Sequence, residues 1–154
     1  NDRKSWLAAW QGQVVLTVNQ ITWGQLTEAA INRGKHALAE LHGKRVDELM
    51  DVVEQVRGNI PKALRSTLGA LVVMDVHNRD ITDELAKSTI SSPLDFDWQA
   101  QLRYYWEEGG ASAQSGTPGT IPCRMINAMI LYAYEYIGNC GRLVITPLTD
   151  RCYR

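Results

Sequence analysis

The residues whose types could do chemistry are few and poorly grouped. His77-Asn78-Arg79-Asp80 has side chains of the kind found in a kinase catalytic loop. It lies inside a helical pattern, however, and the Gly-rich lid, strand lysine and metal-binding Asp-Phe-Gly of that chemistry do not accompany it. A polar helix face, or a cluster of hydrogen bonds between elements, is the better reading. His36, His42 and His77 are not at the i, i+4 spacing that aims two imidazoles at one ion, and none neighbours a cysteine. Gly109, Gly110, Gly116 and Gly119 come without a following Gly-Lys-Ser/Thr, so they cradle no phosphate. Neither a Gly-x-Ser-x-Gly nor a Cys/His pair with an orienting partner occurs. No catalytic residue and no metal ligand emerges.

The thiols and aromatics say more about setting than about reaction. Cys123, Cys140 and Cys152 are spaced 17 and 12 apart and form no C-x-x-C. An odd set of this kind suits a reduced intracellular compartment, with the thiols as ordinary buried or half-buried residues. Eight of the twelve aromatics fall in the last 57 residues: Trp98, Tyr104, Tyr105, Trp106, Tyr132, Tyr134, Tyr136 and Tyr153. A small hairpin packed over a helix with its own aromatic cluster explains them. The alternative is a surface that meets another domain or protein, since Tyr and Trp supply contact area with a polar handle.

Composition narrows the partners. Across 154 residues, 16 Lys+Arg stand against 17 Asp+Glu, for a net charge of −1. That balance excludes a strongly basic nucleic-acid binder and a polybasic membrane tail. The longest apolar stretches, residues 69–74 and 128–134, are far short of the ~20 residues that span a bilayer. The apolar piece at Trp6-Leu7-Ala8-Ala9-Trp10 is too short for a signal-peptide core. Length suggests one domain or a fragment of something larger, and the missing initiating Met suggests a chain that is trimmed or cut out.

The elements that must position these residues are mostly helical. Residues 13–32 read as a helix with Val14, Val18, Ile21, Leu26 and Ala29 along its apolar side, and Gly34 breaks it. In residues 35–57, Val46, Leu49, Val53 and Val56 step along one side, with Leu38 and Leu41 upstream. Gly58-Asn59-Ile60-Pro61 stops that helix and starts the next, over 61–88, with Leu64, Leu68, Leu71, Val72 and Val76 inward. Its second half carries Asp75 to Asp80 and is solvated or touches something polar. Residues 91–93 read as a linker, Asp95 or Asp97 as a cap, and 101–106 as a strand. Residues 107–122 read as a flexible Gly/Pro-rich loop, and 143–145 as an edge strand or loop. The expected fold is mainly α: three long helices in an antiparallel bundle, forming a rod-like segment, then a small β-hairpin across the Gly-rich loop and an extended tail.

The tail is also where the sequence becomes recognisable. Tyr134-Glu135-Tyr136-Ile137-Gly138-Asn139, followed by Arg142-Leu143-Val144-Ile145-Thr146-Pro147-Leu148-Thr149-Asp150-Arg151-Cys152-Tyr153, closely resembles the entry into the first AAA+ module of dynein heavy chains. Upstream, Gly12-Gln13-Val14-Val15, Gln20-Ile21-Thr22-Trp23, Val56-Arg57-Gly58, Asp75-Val76-His77-Asn78-Arg79-Asp80 and the run from Phe96 to Trp106 resemble the C-terminal part of the dynein linker, in the expected order. Val144-Ile145-Thr146 is more similar to axonemal than to cytoplasmic chains. Two features depart from the family. The stretch 109–122 is longer and looser than its usual counterpart, and Met129-Ile130-Leu131-Tyr132-Ala133-Tyr134 replaces a more polar pattern.

The resemblance implies a mechanical element. Residues 1–106 would be the helical C-terminal part of the linker, 107–122 a flexible loop, 123–141 the linker's end with a hairpin strand and turn, and 142–154 the entry segment of the first AAA+ module. Such a linker couples ATP hydrolysis in the ring to microtubule-based movement, here in the axoneme of a cilium or flagellum. Its partners would be the ring and upstream linker of the same chain, other dynein subunits and microtubules, with no nucleic acid and no membrane. ATP or ADP with Mg would be the cofactor of the parent motor, none bound tightly by this segment, which lacks Walker A and B motifs and is not expected to hydrolyse ATP. By motif matching, Leu143, Val144, Pro147 and Leu148 form an apolar wall against the adenine. Thr149 and Asp150 would cap the helix that follows. Residues 13–88 would move as one body, with compliance near 91–97 and beyond Trp106. A free-standing helical adaptor, binding a protein partner through the aromatic tail, is the reading of a different class.

Overall fold

The computed structural model describes residues 3–109 and 119–133 and, in the tail, 144, 146, 148, 149 and 152. The described chain is mainly α. A short α1 (Arg3–Ala9) precedes three long helices, α2 (Gly12–Arg33), α3 (Lys35–Arg57) and α4 (Lys62–Lys87). A single turn, α5 (Phe96–Gln99), leads into β1 (Arg103–Tyr104), β2 (Pro122–Met125) and β3 (Ala128–Leu131). The three long helices fall where apolar periodicity and the glycine and proline punctuation place them. Sequence periodicity does not single out α1 or α5.

Consecutive long helices are antiparallel, as their connections require. Gly34 alone joins α2 to α3, at φ 95° and ψ −179°, a backbone region open in practice only to glycine. Its N–H reaches back to the carbonyls of Ala30 and Ile31 at 3.0 and 3.1 Å, which closes α2 while turning the chain. The α3–α4 turn is tied by Arg65, whose guanidinium donates to the carbonyls of Val56 and Gly58.

The core has two apolar parts. One gathers Trp23, Ile31, Leu38, Leu41, Leu85 and Trp98 among others. The second is built on Leu7, Val15, Leu16, Val52, Leu68 and Leu71. Between them, at the mid-length of each long helix, lies a polar layer containing Asn19, Arg45, Asp75 and Asn78, all buried. The layer explains why apolar spacing misjudges the facing of α2. Its buried residues include Leu16, Asn19, Trp23, Thr27 and Ala30, at helical steps of 3, 4, 4 and 3. Two of these are polar, so Val18 and Leu26, which the periodicity turns inward, are 40% and 36% exposed. On α4, Leu68 and Leu71 are buried as read, while Leu64, Val72 and Val76 are only half-buried, because Thr67, Asp75, Asn78 and Thr82 share the inner face.

Residues 91–97, expected to be a compliant linker, carry local bonds of their own. The Asp95 carboxylate accepts from the backbone N–H groups of Ser91 at 2.8 Å and Ser92 at 3.0 Å. Those bonds, Ser91's first, hold its carboxyl below the usual carboxylate range. Asp95 sits at the N-cap of α5 but binds upstream amides rather than the helix's own. Trp98 is fully buried, edge-on to Trp23 at 5.2 Å.

The sheet is antiparallel in the order β1-β2-β3. β1 pairs β2 across the Gly-rich stretch, as expected, and the Glu107↔Thr120 bridge extends that arm. Gly119 is required there, because a Cβ would lie 2.5 Å from the Trp106 ring. The second hairpin, β2 to β3, turns on Ile126-Asn127, which carries none of the glycine that marks such turns. Ile126 has φ 50°, and its N–H donates to the Gln99 carbonyl at 2.8 Å.

Candidate functional site

Two polar clusters join elements that hydrophobic contact alone would leave free to slide. In the layer between the cores, Asp75 of α4 accepts from Asn19 Nδ2 of α2 at 2.8 Å and from an Arg3 Nη of α1 at 3.1 Å. Arg3 also donates to the Glu48 carbonyl of α3 at 3.2 Å, and Glu48 pairs with the buried Arg45 at 3.1 Å. One turn along, Asn78 Nδ2 donates to Gln20 Oε1 at 2.9 Å, and Trp23 Nε1 to Thr82 Oγ1 at 3.2 Å. Helices α1, α2 and α4 are thereby keyed to one register, since a shift among them would strand a buried charge or amide, and Arg3 ties α3 to this layer through a main-chain carbonyl. The His77 to Asp80 motif dissolves into this arrangement. Asn78 is a buried bonding residue, and Arg79 and Asp80 pair on the surface at 2.6 Å. His36 likewise pairs with Glu40 on the exposed side of α3.

The second cluster fastens the sheet to the bundle. Glu28 Oε1 of α2 accepts from Trp98 Nε1 at 2.9 Å and from the Tyr105 hydroxyl at 2.6 Å. Arg103, buried on β1, donates to the Tyr105 oxygen at 2.9 Å and to Gln99 Oε1 at 2.8 Å. Arg124 of β2 stacks over the Tyr105 ring at 5.2 Å and pairs with Glu107. Burial and the bond to Glu28 push the Tyr105 phenol from 10.0 up to about 12. A second fastening joins Gln13 Nε2 to the Tyr132 hydroxyl at 2.7 Å, with Tyr132 tilted on Tyr104 at 5.9 Å. The tail aromatics that are described, Trp106 apart, are therefore mainly a packing device. Sequence reading marks the run from Asp75 to Asp80 as solvated or touching something polar, and Asp75 and Asn78 are its buried members. It misses Glu28 and Arg103, whose only signal is an ionisable residue within a segment otherwise committed to packing.

Of the residues expected against adenine, only two are among the described residues. Val144 and Leu148 are 53% and 73% exposed; Leu143 and Pro147 lie outside the described residues. The expected cap moves upstream. Thr146 Oγ1 accepts from the Thr149 N–H at 3.3 Å, and Thr149 Oγ1 accepts from the Thr146 N–H at 2.8 Å. That reciprocal pair is a capping box, which makes Thr146 the capping residue and Thr149 its partner three positions on. Asp150 lies outside the described residues. Of the thiols, Cys123 is half-buried, with its pKa raised by burial and partly lowered again by Tyr104. Cys152 is exposed rather than buried, and Cys140 lies outside the described residues. None of the described helices is long and apolar enough to cross a membrane.

Known proteins match both halves of this arrangement. Residues 132–154 fit the family described as the hydrolytic ATP binding site of the dynein motor region. Over nearly its whole length the chain is homologous to dynein heavy chains. More particularly it is of the axonemal type: it is 46% identical over 152 residues to human dynein axonemal heavy chain 12, covering 99% of this chain and 5% of that protein. The rat counterpart is 47% identical over 152 residues, with the same 99% and 5% coverage. Mouse dynein axonemal heavy chain 3 is 44% identical over 153 residues, covering 99% of this chain and 3% of that protein. The chain thus spans about one-twentieth or less of these curated relatives. Their axonemal character agrees with the reading of Val144-Ile145-Thr146 and with a location in the cilium or flagellum.

Proposed function

We propose that this chain is the C-terminal part of a dynein linker running into the first AAA+ module, and that its work is mechanical. Residues 1–106 form the helical linker part, 107–122 a loop, 123–141 the linker's end and 142–154 the module's entry segment. In the parent motor it carries force between an ATP-hydrolysing ring, which uses ATP or ADP with Mg, and the upstream linker, and so contributes to movement on microtubules in the axoneme. The observation that carries the reading is one of continuity. The ATP-site match begins at Tyr132, on a sheet that Glu28 and Gln13 fasten to α2. A transmission element needs such stiffness, and the two polar clusters supply it.

Glu28 gives the test. In the intact heavy chain, Glu28→Ala should leave ATP turnover within about twofold while microtubule gliding velocity falls at least about fivefold, because the fastening is lost and the nucleotide site is not touched. Glu28→Gln, which keeps an acceptor oxygen, should restore most of the velocity. Turnover and velocity falling in parallel would contradict a coupling role.

The same reading assigns Leu143, Val144, Pro147 and Leu148 to an apolar wall against the adenine. The exposure of Val144 and Leu148 leaves them available to a base. In the intact motor, Leu148→Glu should raise the KM for ATP by roughly tenfold, as expected when a charge must be desolvated against a base. An unchanged KM would remove Leu148 from the wall.

A further inference from the structure

The outer edge of the sheet has an exposure that neither the linker reading nor the family match accounts for. β3 is the last strand in the order β1-β2-β3, so one of its edges is unpaired among the described residues. The Tyr132 N–H donates inward to the Ile121 carbonyl at 2.8 Å. By strand alternation, Ala128 and Ile130 also turn their backbone groups toward β2. Met129 and Leu131 therefore present their N–H and C=O groups outward. The side chains are as unusual as the backbone. All four residues of the strand are exposed, with Met129 at 58%, Ile130 at 73% and Leu131 at 58%. The strand carries no charge, no proline and no bulge, the devices by which proteins blunt a free edge. Beside it, Val14, Val18 and Ile21 of α2 face Leu131, Ile121 and Trp106 across a mainly apolar groove of about 370 Å³. An unpaired ladder next to an apolar groove is what strand addition uses: the backbone supplies hydrogen bonds, and alternate side chains enter the groove.

We infer that the free edge of β3 pairs with an extended segment of the same heavy chain, contributed by the body of the ATP-binding module. Three observations select this occupant. β3 runs directly into the segment matched by the ATP-site family, at Tyr132. The human relative is about twenty times this chain's length, so on the linker reading most of the polypeptide lies outside these residues. A protein left with this edge uncovered would aggregate, and pairing within the same chain covers it at high effective concentration. The added strand would join linker and module by main-chain hydrogen bonds as well as by the covalent connection. The inference rests on the linker reading and deepens it.

The test uses the intact heavy chain at concentrations where it is monomeric. Hydrogen exchange at the Met129 and Leu131 amides should be at least about 100-fold slower than for an unpaired strand edge. A photoreactive phenylalanine analogue replacing Met129 should cross-link to a peptide of the same chain beyond residue 154, within the ATP-binding module. Because the Leu131 N–H is not used by β2, Leu131→Pro should abolish that cross-link while the Ile130 amide stays protected. Fast exchange at both outward amides would overturn the inference. So would a cross-link to a second copy or to another polypeptide, or protection that rises with concentration. The Glu28 comparison of turnover and velocity does not involve β3, so it stands or falls separately. An uncovered edge with intact Glu28 coupling would defeat only this inference.

Discussion

Tyr105 and Glu28 show how single side chains decide whether this segment is stiff or loose. A phenol with a pKa raised by burial is held in its neutral form in the folded state. Its contribution to stability is therefore complete below pH 10 and disappears as the pH rises from about 10 to about 12, where the unfolded chain ionises first. Thermal unfolding of wild type and Tyr105→Phe across that range should show a difference that is largest below pH 10 and closes toward pH 12. A constant difference would mean that the hydroxyl's environment adds nothing. The buried polar layer acts on register in the same way. Asp75 with Asn19 and Arg3 accepts only one alignment of α1, α2 and α4, whereas the leucines on either side would accept several. Neither cluster was visible as a cluster in the sequence, because the bonds that close them, Asn19 to Asp75 and Glu28 to Tyr105, span 56 and 77 positions. What could be read was local: a polar run from Asp75 to Asp80 in the second half of a helix with an apolar side.

At the scale of elements, the clearest signals were those that the chain states in its own neighbourhood. Gly34, Gly58 and Pro61 mark the ends of long helices, and the structure breaks at each of them. Gly34 carries the most weight, since its backbone conformation is closed to other residues. Gly34→Ala should destabilise the chain by about 1–3 kcal/mol in denaturant unfolding, although nothing lies within 4 Å of the added Cβ. No loss would mean that the turn relaxes to another conformation. The β2–β3 hairpin was not legible, because Ile126 at φ 50° is a residue that local rules keep out of such a turn. Tertiary bonding overrides the local preference, through the Ile126 amide on Gln99. The local bonding of residues 91–97 was not legible for a related reason. Ser-Ser-Pro reads as a linker until Asp95, three and four positions on, is seen to bind both serine amides. In the candidate site, the resemblance names a segment by its motif, but the capping box at Thr146 depends on geometry that a motif match does not carry.

Taken as a whole, the molecule has two apolar cores separated by a polar layer, with a small sheet fastened to α2 and leading into a segment that resembles a hydrolytic ATP site. A stretch of 154 residues is long enough to bury a core of its own. Yet one sheet edge stays apolar and exposed, and the chain spans only 3–5% of the axonemal heavy chains it matches. The near-neutral charge fits the proposal that the main partner is the rest of the same heavy chain. The central claim is that α2, α3 and α4, joined by their two apolar cores and with α2 and α4 keyed by the Asp75 layer, move as one body while compliance lies beyond Trp106. Hydrogen exchange mapped across the ATP cycle in an intact axonemal heavy chain tests this most directly. The claim predicts that amides of the three helices, including residues 75–80, stay protected in every nucleotide state, with changes confined to residues after 106. Loss of protection in the middle of α4, at residues 75–80, would contradict it.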